Sequence, residues 1–361
     1  MPSRFAEDVL SPRYQLRSTS EVKHTGVALT LNHSKLVPGI CIFPVEVLEE
    51  IILAVLVPKR VFSSIANFSL ASYQFRQIAF RNFFKTFCAS SIDQWTNLRK
   101  VPGVVSWARS LESVSIVVFS QLDNLAAFTN FSSVEIDMSP EGLSTQHTFI
   151  KYLFKHLPAG LLHLTLSFLP RVDTALLSRI SEKFLNLQTL QLTCTERLVD
   201  DCCWDCYEEA STCTVHSPIP DVYVDAEDLS YAFGTALVPL TKLTTLHLGI
   251  FLSELDIFQY HLYDCRCITF QTLIGPAVMG TSSFGGPDSC PQCFELFSKN
   301  VRATELFASA CIARTLPALE TISWSSFFAE DNPGDDQDNL TTTAWVLRKD
   351  GKVKVRRAPW C

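Results

Sequence analysis

Leu187-Gln188-Thr189-Leu190-Gln191-Leu192 is the sharpest copy of a six-residue phrase that recurs along the chain and decides its architecture. The other copies are Leu111/Val114/Ile116, Phe131/Val134/Ile136, Leu161/Leu164/Leu166, Leu243/Leu246/Leu248 and Leu319/Ile322/Trp324. In each, the second and third apolar residues point to one face of a short strand, and the residue between them (Ser115, Glu135, Thr165, Gln191, His247 or Ser323) points to the other. Such a strand buries one side only. Segments between copies, such as residues 174–186 (TALLSRISEKFLN), carry apolar residues at helical spacing. A repeating strand-then-helix unit, and hence an α/β fold, accounts for both patterns; an ordinary α/β sheet with coincidental leucine spacing is the competing reading. First positions are 20, 30 and 26 residues apart in the early copies and 56 and 76 apart in the later ones. The wide gaps hold either degenerate repeats or insertions.

Composition bounds the function. The chain has 361 residues, 47% hydrophobic and 19% charged, with a net charge of -7. That is enough apolar material for a substantial core and the wrong sign for a phosphate-binding surface, so no nucleic-acid partner is expected. The longest aliphatic run, Ile51–Val57, is far shorter than the roughly 20 residues that cross a bilayer, so no membrane partner is expected either. The first twenty residues carry no basic-then-apolar signal, and thirteen cysteines is an odd number, which reads as reduced thiols or metal ligands in a cytosolic or nuclear protein.

Residues 1–40 are polar and without apolar period, and read as a disordered arm. The pattern changes at Phe43. Residues 43–57 (FPVEVLEEIILAVLV) place Val47, Leu48, Ile51, Ile52 and Val55 at three- and four-residue spacings, with Glu46, Glu49 and Glu50 early, where the helix dipole favours acids. Pro44 suits a first turn and Pro58 ends the helix; residues 61–87 then supply one or two further short helices rich in aromatic side chains. A helical unit of about fifty residues cannot bury this much apolar surface within itself. It packs either on the rest of the chain or on a partner.

Phe43-Pro44-Val45-Glu46-Val47-Leu48-Glu49-Glu50-Ile51-Ile52 resembles the opening helix of an F-box, and Leu70-Ala71-Ser72-Tyr73-Gln74-Phe75-Arg76-Gln77-Ile78 is similar to its closing helix. Phe43 stands where Leu is usual, Gln74 stands near a customary basic residue, and the stretch between the halves is a few residues longer than usual. The resemblance implies a small N-terminal helical F-box-like domain (41–90), followed by an irregular leucine-rich-repeat solenoid (91–330). The division implies insertions at about 199–235 and 261–293, and an acidic linker with a C-terminal β-hairpin (331–361). It further implies a non-catalytic substrate receptor of a cullin-RING ubiquitin ligase, of the type found among fungal F-box proteins. The F-box would bind a Skp-type adaptor, and through it a cullin, while the repeats bind a protein substrate. Adaptor contacts would fall on Phe43, Pro44, Val47, Leu48, Ile51, Ile52, Leu70, Tyr73, Phe75 and Ile78. A repeat scaffold without ligase association is the alternative.

The insertions carry the metal candidates. Cys265 and Cys267 with Cys290 and Cys293, and more weakly Cys203, Cys206, Cys213 and His216, offer soft ligands at spacings a structural zinc accepts, against the plainer reading of unligated cysteines. Residues 200–228 hold nine acids, with no Lys or Arg from 199 to 241. Catalytic signals are thin: Gly280-x4-Gly285-Gly286 has no following Lys, and the acid pairs Asp200-Asp201 and Glu208-Glu209 sit in the solvated insertion. A zinc-dependent enzyme remains a third hypothesis, but no enzymatic activity is expected. Tyr260, Trp324, Phe327 and Phe328 read as core or as interface anchors. The bases Arg348, Lys349, Lys352, Lys354, Arg356 and Arg357 flank the Asp350-Gly351 turn of a hairpin that would close the open end of the sheet.

Overall fold

The structure is a computed structural model and describes residues 44–57, 60–194, 225–252, 257, 260, 290–326, 328–329, 335–336 and 340–359. Among these the chain is mixed α/β, with eleven helices and a ten-stranded, mostly parallel sheet. It divides into two compact units, residues 1–86 with 102–107, and residues 87–101 with 108–361. The arm at 1–40 and most of both insertions lie outside the described residues.

The first unit holds three consecutive helices, α1 (Val45–Leu56), α2 (Phe62–Ala71) and α3 (Tyr73–Phe83). Its core is a stripe of α1, Leu48, Ile52 and Leu56, closed by Ile65, Ile78 and Ala79. Aromatic rings surround it: Phe68 stacks on Phe75 at 4.6 Å, and Phe62 meets Phe83 edge-on at 5.5 Å. Ser72 separates α2 from α3, and its hydroxyl accepts from the Phe75 amide at 3.1 Å, capping α3.

The second unit is built by repetition. Strands run in the order β1 (Thr86–Ala89), β2 (Ser110–Val114), β3 (Ser133–Asp137), β4 (His163–Leu169), β5 (Thr189–Cys194), β6 (Thr245–Phe251), β7 (Thr321–Ser325), with β2 to β7 all parallel. Val134, Leu164, Leu190, Leu246 and Ile322 stand opposite one another across β3–β7, and so do Ile136, Leu166, Leu192, Leu248 and Trp324. All ten are buried, as are the leading positions Phe131, Leu161, Leu187, Leu243 and Leu319. A staircase of hydrogen bonds sets the register. The carbonyl of Arg109 accepts from Ser132 and Ser133, that of Ser132 from Leu162 and His163, that of Leu162 from Gln188 and Thr189. Gln188 continues it to Thr244 and Thr245, and Thr244 to Glu320 and Thr321.

The staircase corrects the first copy. Arg109 stands where Ser132 stands in the next, so the leading residue is Ala108 and the strand pair Leu111 and Ser113, not Leu111/Val114/Ile116. After Val114 the chain turns into α6 (Ser115–Ser120), which leaves Ile116 62% exposed. A further copy, beyond the six expected, stands at Phe84, Phe87 and Ala89, all buried. The wide later gaps hold insertions, since β5 pairs directly with β6 and β6 with β7.

Helices form the layer opposite the open strand face. Beyond α4 (Ile92–Arg99) and α5 (Val104–Trp107, in the first unit), α6 is followed by α7 (Leu122–Leu125), α8 (Leu143–His156), α9 (Thr174–Lys183), α10 (Ala226–Leu237) and α11 (Pro291–Thr315). Neighbours pack in sequence order, α8 on α9, α9 on α10 and α10 on α11. Residues 226–235, expected within the insertion, are therefore part of a repeat helix. The Ser181 hydroxyl of α9 donates to the Ala236 carbonyl of α10 at 2.7 Å, and Trp324 Nε1 donates to Ser309 Oγ of α11 at 2.9 Å.

The hairpin closes the sheet as expected. β9 (Thr341–Lys349) pairs antiparallel with β7 and with β10 (Lys352–Arg356), across Asp350 and Gly351, both at positive φ as a two-residue turn requires; β8 (Asp335–Asp336) also pairs with β9. Arg348 donates to the carbonyls of Ala313, Leu316 and Leu319 at 2.5–2.9 Å, satisfying the end of α11. Beneath the hairpin Glu305 of α11 is 3% exposed, accepts from Thr342 Oγ1 at 2.8 Å, and pairs with Arg357 at 3.6 Å, which also holds Asp335.

Two predictions test this packing. At Gly249 a Cβ would stand 2.5 Å from the Thr193 Cα and 2.7 Å from the Leu192 oxygen, both backbone. Gly249→Ala must push β5 and β6 apart, with an expected loss of about 1–3 kcal/mol in chemical denaturation. Burial pushes the Glu305 carboxyl up to about 7 from 4.5, against hydrogen bonds from Ser326 and Thr342 and the Arg357 charge, which pull it down. A raised carboxyl holds its proton in the folded state, so its stabilisation is full below the unfolded value and lost as pH rises through about 7. The stability difference between wild type and Glu305→Gln, followed by denaturation, should therefore fall with rising pH between 4.5 and 7.

Candidate interaction surfaces

In the first unit α1 is apolar nearly all round. Its Leu48–Ile52–Leu56 stripe faces the unit's own core, yet Val45, Val47, Ile51, Leu53, Val55 and Val57 remain exposed. Val47 is 41% and Ile51 45% exposed; Leu70 at the end of α2 and Tyr73 at the start of α3 reach 70% and 75%. A helix with two apolar faces, one of them uncovered, leaves surface that water penalises. Of the ten expected adaptor contacts, Pro44, Val47, Ile51, Leu70 and Tyr73 are thus on the surface. Leu48, Ile52 and Ile78 lie in the unit's core, Phe75 stacks on Phe68, and Phe43 lies outside the described residues. Arg81 of α3 pairs with Glu49 of α1 on the polar side.

The second unit presents the open side of its sheet. One row across the strands reads Glu112, Glu135, Thr165, Gln191, His247, Ser323 and Thr343; the row beside it reads Ser110, Ser133, His163, Thr189, Thr245, Thr321 and Trp345. Hydroxyls bridge neighbouring strands: Thr321 to Thr245 at 3.3 Å, Ser323 with Thr343 at 2.8 Å. Cys88 Sγ donates to Glu112 Oε2 at 3.0 Å. Glu135 has its carboxyl raised by burial and by the neighbouring Glu112 charge. His247 is more enclosed; its Nε2 is buried without a hydrogen-bond partner, and burial lowers the imidazole to about 4. It is neutral at physiological pH.

Cys203, Cys206, Cys213, His216, Cys265 and Cys267 lie outside the described residues. Cys290 and Cys293 are described and buried at the start of α11 among Ile257, Val301 and Phe328, where Cys290 Sγ accepts from the Cys293 amide at 3.5 Å as an N-cap. Among the described residues no group of three or more His, Cys, Asp or Glu is placed to hold a metal ion. Trp324 and Phe328 are core, Tyr260 packs edge-on against Phe297 at 4.9 Å, and Phe327 lies outside the described residues. Among the described residues no helix is long and apolar enough to cross a membrane. Compared with protein-family models and with curated proteins, the chain matches none.

The orphaned His247 nitrogen gives a direct test. Replacing a buried, unsatisfied polar group by an apolar one removes a desolvation cost, so His247→Leu should be at least as stable as wild type at pH 7. A lowered imidazole contributes stability above the unfolded value that is lost as pH falls from about 6.5 to 4. Thermal melts across that window should show His247→Leu losing less than wild type on acidification.

Proposed function

We propose that the chain is a non-catalytic substrate receptor of a Skp-cullin-F-box ubiquitin ligase. Its helical unit docks on the Skp-type adaptor, and its strand–helix repeats, read as an irregular leucine-rich-repeat solenoid, hold a protein substrate. The observation that carries this reading is the double-faced α1. Its opening residues resemble an F-box, and after the unit's own core is complete it still exposes Val47 and Ile51, with Leu70 and Tyr73 exposed on the neighbouring helices. Burying that surface on a partner yields about 25 cal/mol per Å² before association costs.

Support for the repeat half comes from five strands with two apolar positions in common register, each strand preceded by a buried apolar residue, a pattern of stacked units rather than a single coincidence. Activity in this role is proximity. A receptor raises the local concentration of substrate beside a charged conjugating enzyme and contributes no reacting side chain of its own. The compartment that follows is cytosol or nucleus, where such ligases work.

Co-purification with the adaptor tests the proposal. Ile51→Asp and Val47→Asp change exposed residues, so each variant should melt close to wild type. Each should lose about 2 kcal/mol or more of adaptor affinity, roughly thirtyfold, as expected for a contact at the centre of an interface. Adaptor binding unchanged in both folded variants, or no binding by folded wild type, refutes the receptor role.

A further inference from the structure

The strands of the second unit sort charge by position. β1 to β7 contain three acids, Glu112, Glu135 and Asp137, and no Lys or Arg; β9 and β10 contain five bases and no acid. Register places the three acids on the open face at β2 and β3, and Lys349, Lys352 and Lys354 on the same face at β9 and β10. All three lysines are exposed, as are Glu112 and Glu135. Between the two ends the face is neutral, made of Ser, Thr, Gln and His. Asp336 of β8 is opposite Thr341, at the other end of β9 from Lys349.

The acidic end is unfavourable as it stands. Glu112 and Glu135 are direct partners on adjacent strands, where like charges destabilise a sheet, and the adjoining strand β4 supplies no Lys or Arg. A cation supplied from outside relieves that repulsion. The basic end has the opposite need. β3 and β9 are five strands apart in the sheet, about 24 Å at roughly 4.8 Å per strand, and Lys349 also lies six residues along β9 from Thr343, the residue in the Glu135 row, about 20 Å at roughly 3.4 Å per residue. An extended polypeptide covers the resulting diagonal of about 31 Å in about nine residues.

We propose that this face binds an extended polypeptide segment laid diagonally across the strands. Its Lys or Arg residues sit over Glu112, Glu135 and Asp137, and its Asp or Glu residues, about nine positions away, sit over Lys349, Lys352 and Lys354. The inference rests on the receptor reading above and names the class of its substrate: a segment with separated basic and acidic ends. A uniformly acidic chain, nucleic acid included, is repelled at β2 and β3, and a uniformly basic one at β9 and β10. The neutral middle contributes hydroxyl and amide groups that tolerate varied sequence there.

Selection of a displayed library of random twelve-residue peptides on the full chain tests it. The expected result is enrichment of sequences with Lys or Arg toward one end and Asp or Glu toward the other. Affinity for the best peptide should fall at least about tenfold in Glu112→Gln/Glu135→Gln and in Lys352→Gln/Lys354→Gln, while Glu112→Lys/Glu135→Lys selects peptides acidic at both ends. No enrichment, enrichment without this charge pattern, or affinity unchanged in the neutralised variants overturns the inference. Adaptor co-purification of the same variants separates the two proposals, since it reads the helical unit alone. Intact adaptor capture with absent charge selection defeats the peptide proposal and leaves the receptor role standing.

Discussion

Everything in the second unit depends on stacking like on like. Each strand lays its apolar pair directly on the pair of the strand before, Leu190 on Leu164 and Leu192 on Leu166, and the carbonyl one residue after the leading apolar position takes the amide just before the next strand and that strand's first amide. A one-residue slip would turn Gln191 inward and Leu192 outward, so the register is strongly specified. The same constraint explains why the unit carries long insertions without losing its sheet. Closing a longer loop costs entropy that grows only with the logarithm of its length, and Leu246 finds Leu190 across 56 residues as securely as Leu190 finds Leu164 across 26. Gly249 marks where this packing is tightest, because the two backbones approach within the space a methyl group would occupy.

Five of the repeat copies were legible in the sequence because large apolar residues, Leu, Val or Ile at all but Phe131 and Trp324, hold the same positions in each. The first was misphased for a physical reason: Ala108 is too small to register as a leading apolar residue, and Ile116 supplied a false third position on what is a helix. Phe84, Phe87 and Ala89 do not stand out in the sequence, because two aromatic rings and an Ala hold the positions of the aliphatic phrase. The hairpin was readable from Asp350-Gly351, whose backbone preference is local. Helix α10 was hidden by the acidic stretch leading into it, although Asp225 caps it through the Asp228 amide at 2.8 Å.

The interaction surfaces were less legible. Along α1 every turn offers apolar residues on both sides, so periodicity alone gives no reason to assign Leu48 and Ile52 to the core and Val47 and Ile51 to the surface. That division follows from where α2 and α3 place Ile65 and Ile78. Likewise the charge segregation of the open face appears only when register brings residues 112, 135, 349, 352 and 354 into one plane. The two surfaces differ in kind. The helical one is apolar and suits a permanent subunit, whereas the sheet face is polar and charged, which suits a partner that is chosen and released.

Hydrogen exchange on the full chain with and without the Skp-type adaptor tests the central claim most directly, because it reports which backbone segments the partner covers. The account predicts new protection concentrated in residues 45–57 and 70–75, with the strands of the second unit unchanged. Protection of residues 45–57 already complete without adaptor, and unaltered by it, would contradict the account and leave a repeat scaffold whose N-terminal helices serve its own fold.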